Sequence, residues 1–361
     1  MTPGILLDPL RIGREAAILE RKLRERVIGQ DEAVREIVGV YQTFLAGLTP
    51  PGRPIGSFLF LGPTGSGKTR TVEAVAEALA GDARAVIKVD CAEYQHGHEI
   101  AKLVGSPPGY LGHRETHPLL SQEALNQYQT ESVKLSFVLF DEIEKASDAL
   151  WNLLLGILDK ASLTLGDNRQ VDFARTLIFL TSNLGAREIE TLIRPKLGFA
   201  PVRAVSDEAG TEKISHAGVD AARRNFSPEF MNRLDKIVVF RPLGQGELRN
   251  ILSLELGFIR ERIWRAEGTT SVTFEVSEAG QDFLLEEGTD ARYGARHLKR
   301  TVERLLVQPL ANLLATGQIQ AGDSVRVEFD RCALGNRLLF FKQMRGPVAK
   351  FEIAAPQTAA A

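Results

Sequence analysis

Eight consecutive residues, Gly62-Pro63-Thr64-Gly65-Ser66-Gly67-Lys68-Thr69, carry the densest chemistry in this chain. Three glycines let the backbone turn its N–H groups inward, a lysine can reach outer phosphates, and a threonine hydroxyl can hold Mg²⁺. The apolar run Ser57 to Leu61 precedes them and the helix-like stretch Arg70 to Leu79 follows, so the positive end of a new helix points at the same anion. The spacing fits G-x-x-x-x-G-K-[ST] without a gap, the pattern of a nucleotide-phosphate cradle. The dinucleotide pattern G-x-G-x-x-G fails, because counting on from Gly65 and Gly67 puts Arg70 where the third glycine belongs. A nicotinamide enzyme is thereby disfavoured.

Two carboxylates follow at a distance. The run Phe137 to Phe140 ends in Asp141-Glu142, which sets an acid pair at the tip of a buried strand. Asp141 is then the acid on the Mg²⁺ side, and Glu142, pointing differently, can polarise an attacking water. A further apolar run, Thr176 to Thr181, delivers Ser182 and Asn183 to the same edge, where an amide can bond a γ-phosphate or that water. On its own, Ser-Asn also opens turns.

These residues need a scaffold that brings several strand ends together. Five short β-rich runs, Ser57 to Leu61, Ala85 to Asp90, Ser136 to Phe140, Thr176 to Thr181 and Lys236 to Arg241, alternate with helical patterns. Such alternation predicts an α/β fold with a parallel sheet covered by helices on both faces, its ligands at the carboxyl ends of the strands. The expected division is a helical extension over residues 1–26, the nucleotide-binding domain over 27–241, a smaller, mainly helical domain with a terminal strand over 242–331, and a partly disordered tail over 332–361 in which Leu338 to Phe341 are strand-like. Residues 206–218 are polar and contain glycine, so they read as a mobile surface excursion.

Composition narrows the class. The 361 residues are 44% hydrophobic and 25% charged, with a net charge of −2. That balance offers no global attraction to nucleic acid. No apolar run approaches the ~20 residues that span a bilayer, and no signal-type stretch opens the chain, so a cytoplasmic location without membrane contact is expected. Cys91 and Cys332 stand far apart and read as small hydrophobes. His113 and His117 have helical metal spacing, yet Gly112 and Pro118 flank them and no third ligand is evident, so solvent-exposed histidines are expected.

Seven ordered motifs, VIGQDEAV from residue 27, GPTGSGKT from 62, FVLFDEIEKA from 137, LTLGDNRQVDF from 163, LTSNLG from 180, FSPEFMNRLDKIVVF from 226 and YGARHLKR from 293, resemble the AAA+ module of the Clp unfoldases. The resemblance is to the second ATPase ring of the two-ring members, and it spans Val27 to Asp330. It implies an ATPase using ATP and Mg²⁺, with Val27 and Ile28 on adenine, Asn183 as the sensor-1 residue, and Arg296 as the sensor-2 arginine of a lid domain. Arg233 would be the arginine finger acting on a neighbour, hence a homo-oligomeric, hexameric ring; read from the residues alone, Arg233 equally pairs with Asp235 or another local carboxylate. Tyr110 and Leu111 would line an axial pore and grip polypeptide substrates, although His113-Arg114-Glu115-Thr116-His117 departs from the family's continuation of that loop. Leu197, Gly198 and Phe199 occupy the place where some members dock on a ClpP-like peptidase, and packing of the two apolar residues onto the domain is the competing reading. The implied activity is ATP-driven unfolding and threading of proteins, with remodelling of nucleic acid or of a specific complex by an AAA+ loader as the alternative. The start just before Val27 suggests that the substrate domain and first ring of the large members are lacking.

Overall fold

The phosphate-loop run becomes the strand on which the rest of the sheet is hung. The computed structural model describes residues 7–106, 117–131, 133–193, 208–265, 272–290, 294–332 and 335–343. In the first of two units, Met1–Glu247 with Ala291–Gly294, the strands are β1 Gly56–Leu61, β2 Ile87–Asp90, β3 Ser136–Asp141, β4 Ser162–Thr164, β5 Gln170–Asp172, β6 Thr176–Ser182 and β7 Lys236–Val239. Its helices are α1 Arg14–Arg24, α2 Asp31–Leu45, α3 Lys68–Ala80, α4 Ala101–Val104, α5 Gln122–Asn126, α6 Asp148–Lys160, α7 Ala186–Ile193, α8 Glu208–Asn225 and α9 Pro228–Met231.

Five strands form one parallel sheet in the order β2-β3-β6-β1-β7. Side chains alternate across a strand, and here both faces are buried, which explains the continuous apolar runs. Phe58, Phe60 and Phe179 point to one face, where Phe58 and Phe179 stack at 5.2 Å between ring centroids and α1, α2 and α3 supply Leu19, Ile37 and Val75. Leu59, Leu61, Phe140 and Leu180 point to the other, against Leu154 and Ile157 of α6 and Ile214 of α8. Burying each of these large side chains contributes about 1.5–3 kcal/mol. The sheet is therefore rigid where its strand ends carry chemistry.

One local expectation changes. Residues 208–225 form α8 instead of a mobile excursion: Ile214, Gly218, Ala221 and Ala222 recur at helical spacing and are buried. Gly218 serves close packing, since a Cβ there would lie 2.9 Å from Val239 Cγ2 of β7. The 163–173 motif folds as the antiparallel hairpin β4–β5, turned with Asn168 at φ 67°.

The second unit, Leu248–Asp290 with Ala295–Ala361, contains α10 Gln245–Arg265, which begins just ahead of it, β8 Thr273–Val276, α11 Glu278–Gly288, α12 Ala295–Val302, α13 Gln308–Ala315, β9 Ser324–Cys332 and β10 Gly335–Gln343. A single π-helical segment, Glu303–Val307, joins α12 to α13. Leu252, Leu256, Leu284, Leu298, Leu306 and Val327 are buried in this unit. Its sheet runs β10-β9-β8, with β8 parallel and β10 antiparallel to β9. Residues 335–343, expected in the tail, are a strand paired antiparallel with β9, with Leu338 to Phe341 opposite Phe329 to Arg326. Among the described residues no helix is long and apolar enough to cross a membrane.

Candidate nucleotide site

The order β3-β6-β1 places the ends of three strands side by side, and each end delivers one part of the predicted chemistry. After β1, the loop turns with Gly62 at φ 133° and Gly67 at φ 103°. Only glycine fits at 62, where a Cβ would come within 2.4 Å of the Phe240 carbonyl oxygen. Gly67 opens α3 with no side-chain cap, so the N–H groups of its first turn remain directed at the loop.

Lys68 is only 8% exposed. Its Nζ donates to Gly62 O at 2.6 Å, Pro63 O at 3.0 Å and Asn183 Oδ1 at 3.1 Å. Thr64 Oγ1 reaches the same Asn183 oxygen at 3.3 Å, and Ser66 Oγ closes the loop on Pro63 O at 2.9 Å. Thr69 follows in the first turn of α3 and is half-buried, as are Pro63, Thr64 and Gly65.

Asp141, at the end of β3, accepts a hydrogen bond from Thr181 Oγ1. Glu142 has left-handed backbone, φ 55° and ψ 48°, which turns its side chain out of the strand line. Its N–H donates to Thr181 Oγ1 at 3.2 Å, its Oε1 accepts from Asn183 Nδ2 at 3.4 Å, and its Oε2 pairs with Lys145. Asn183 thus joins the loop lysine to Glu142 through the two ends of one amide. Its own N–H is held by Glu144 Oε1 at 3.0 Å.

A buried cation, unblocked helix N–H groups and a concave glycine loop fit the polyphosphate of a nucleotide. The Thr69 hydroxyl and the Asp141 carboxylate are the hard oxygen donors that Mg²⁺ takes. Cys91, buried near this acid edge, has its thiol pushed up by burial and then by Asp141 and Asp90, and stays a neutral thiol. Among the described residues there is no cluster of three or more His, Cys, Asp or Glu side chains that could hold a metal ion, and His117 is exposed.

Val27 is buried among the apolar residues of the α1–α3 face, and Ile28 is half-buried. Arg296 is an exposed residue in the first turn of α12, in the second unit. Arg233 has local partners: Nη2 meets Glu229 Oε1 at 2.9 Å, Nη1 donates to Leu155 O at 3.1 Å, and Nε lies 4.0 Å from Asp159. Asp235 is occupied instead by Ser57, whose N–H and Oγ donate to it at 2.8 and 2.7 Å. Tyr110, Leu111, Leu197, Gly198, Phe199 and His113 lie outside the described residues.

Sequence reasoning missed Gln30, Thr181, Glu144 and Lys145. Gln30 is 4% exposed and its amide donates to Ser66 O at 3.0 Å and Arg241 O at 2.9 Å while accepting the Arg241 N–H, so it fastens the phosphate loop to the end of β7. Its place inside VIGQDEAV was the available signal.

Comparison with known proteins bears on the same arrangement. Residues 53–237 match the family described as AAA domain (Cdc48 subfamily), and residues 243–327 match the C-terminal, D2-small domain of ClpB protein. The chain belongs to the AAA+ ATPase family. Within it, this AAA+ chain is 36% identical over 313 residues to the chaperone protein ClpB of Rhodopirellula baltica, an alignment covering 87% of this chain and 33% of that relative. It is 40% identical over 310 residues to ClpB of Corynebacterium efficiens, covering 86% of this chain and 32% of the relative. A cryo-electron microscopy structure titled as the closed state of Hsp104 with ATPγS and FITC casein superposes with a TM-score of 0.72 at 29% identity, covering 90% of this chain and 52% of that one. The AAA+ chain spans about a third of the length of the curated relatives, and the matched domains correspond to their second ATPase module.

Proposed function

We propose that this chain hydrolyses ATP and couples the hydrolysis to unfolding and threading of polypeptides, as a module of a homo-oligomeric, hexameric ring. The observation that carries the hydrolytic part is the continuous path from Lys68 through the Asn183 amide to Glu142 across neighbouring strand ends. ATP brings a polyphosphate whose terminal group accepts water, and Thr69 and Asp141 would hold a Mg²⁺ that would supply charge neutralisation there. Lys68 and the loop N–H groups bind and orient the phosphates. Glu142 takes the proton of the attacking water, and Asn183 keeps the lysine and the carboxylate in register. Val27 and Ile28 contribute apolar surface beside the base, and Arg296, in a unit acting as a lid, and Arg233, from an adjacent copy, add positive charge. The polypeptide part rests on the kinship with ClpB chaperones and on Tyr110 and Leu111 as pore residues. Docking of a ClpP-like peptidase at Leu197, Gly198 and Phe199 is a separate reading that rests on that tripeptide alone. Cytoplasmic location remains the expectation from composition.

The deciding experiment is Glu142→Gln in the full chain, followed by nucleotide binding and by steady-state ATPase with and without unfolded casein. Binding should persist while turnover drops by about 10²–10⁴-fold, the range of a lost general base. Turnover at the wild-type rate would overturn the assignment, and wild-type turnover indifferent to casein would remove the polypeptide reading.

A further inference from the structure

Glu144, α6 and the short α9 enclose a cleft of about 580 Å³ on the first unit. Its apolar side is aromatic: Trp151 meets Phe230 edge-on at 4.7 Å and Phe226 at 5.3 Å, and the two phenylalanines are 5.5 Å apart. Its polar side carries three carboxylates, Glu144, Asp148 and Glu229. Phe226 and Phe230 are buried, whereas Trp151 is half-buried.

One of the carboxylates is left unfinished by the fold. Glu144 uses Oε1 to accept the Asn183 N–H, while its Oε2 is buried and has no hydrogen-bond partner among the described residues. A buried charged oxygen without a donor is unfavourable, so the cleft is built to receive one. Aromatic rings beside carboxylates select a cation, and a planar guanidinium suits them best: it stacks on an indole face and donates to two acids at once. A phosphate or a carboxylate would be repelled, and a neutral group would leave Glu144 uncompensated.

We propose that this cleft receives an arginine side chain from a second copy of this chain. The inference rests on the ring reading above, and the geometry supplies the connection. Glu229 and Leu155, which both line the cleft, are also the residues that hold Arg233. The cleft is therefore continuous with the surface through which Arg233 would face a neighbour. An incoming guanidinium on Glu144 Oε2 would also fix the oxygen that holds the Asn183 backbone, so the state of the contact between copies would be felt at the nucleotide site through one side chain.

The test uses the full chain in sedimentation equilibrium, comparing wild type with Asp148→Asn and Glu144→Gln, and a photo-crosslinking residue at position 152 in the cleft. Each carboxylate change should weaken self-association about tenfold or more at low salt, and the difference should shrink as salt rises. Asp148 is exposed and outside the nucleotide site, so Asp148→Asn should bind a fluorescent ATP analogue within about twofold of wild type. Light should produce a covalent dimer whose partner peptide contains arginine. Association unchanged in both variants, or crosslinks formed only with added casein, would overturn the proposal. If wild type itself fails to self-associate, the ring reading falls together with this one; if wild type assembles and both variants assemble equally well, this one falls alone.

Discussion

Lys68 and Arg233 each hold a cation close to an acid-bearing surface, but by opposite means. Lys68 is 8% exposed and gripped by the backbone of its own loop and by Asn183. The Arg233 side chain is 23% exposed, and its nearest carboxylate, Glu229, is 63% exposed. Burial and backbone contacts leave the lysine one place to be, whereas a solvent-screened ion pair is worth at most about 1 kcal/mol and is readily exchanged. The phosphate-loop lysine is thus held entirely by residues of its own chain, whereas Arg233 is held in part by a carboxylate it can readily exchange.

The sharpest way to break this contrast is Arg233→Ala. If the arginine acts on a neighbour, turnover of the assembled protein should fall by about 10³-fold or more, with nucleotide affinity unchanged within about twofold. A rate within about threefold of wild type would mean that its bonds to Glu229 and Leu155 are its whole role. Next comes Gly62→Ala, where positive φ and the Phe240 carbonyl both oppose a methyl group. It should lower stability in chemical denaturation by about 3 kcal/mol and impair nucleotide binding. Gly81→Ala, with φ 79° but nothing within 4 Å of the added carbon, is the control and should cost about 1 kcal/mol. The smallest effect belongs to Lys145→Ala. Lys145 is half exposed, so its removal should change stability by less than about 1 kcal/mol near neutral pH. The Glu142 carboxylate raises the Lys145 pKa, first by the hydrogen bond and then by charge. A raised lysine contributes below the ~10.4 of the free side chain and stops contributing as pH climbs through its higher folded value. Wild type and Lys145→Ala should therefore converge in stability only in strong alkali; convergence already at pH 8 would refute the pairing.

Much of this arrangement is legible in the chain itself, and what escapes has a common cause. The glycine loop, Asp141-Glu142 and Asn183 each follow a recognisable apolar run, so their arrival at one edge can be inferred from the alternation of strands and helices. The fastenings of the site cannot, because they depend on which non-consecutive strands are neighbours. Thr181 reaches Asp141 and Glu142 only because β6 lies between β3 and β1. Gln30 bonds across 211 residues to Arg241. The same holds in part for β10: Leu338 to Phe341 read as strand-like within a tail, but the strand they belong to is fixed only by β9, which pairs with them. In α8 the error was of another kind: polarity and a glycine suggested looseness, while the buried stripe of Ile214, Gly218, Ala221 and Ala222 carried the helical period. Arg233 shows a third limit, since spacing alone did not say that Glu229 would hold it and that Ser57 would occupy Asp235.

β1 is hydrogen-bonded along both edges, to β6 on one side and β7 on the other, all three running the same way. A tug on the phosphate loop in the strand direction loads those bonds side by side, in shear, where they must fail together and not one after another. The loop is mechanically stiff along that axis. Whatever displacement follows a change at the phosphates is then delivered sideways, through Asn183 and the acid pair, and not by drawing out the strand that carries the loop.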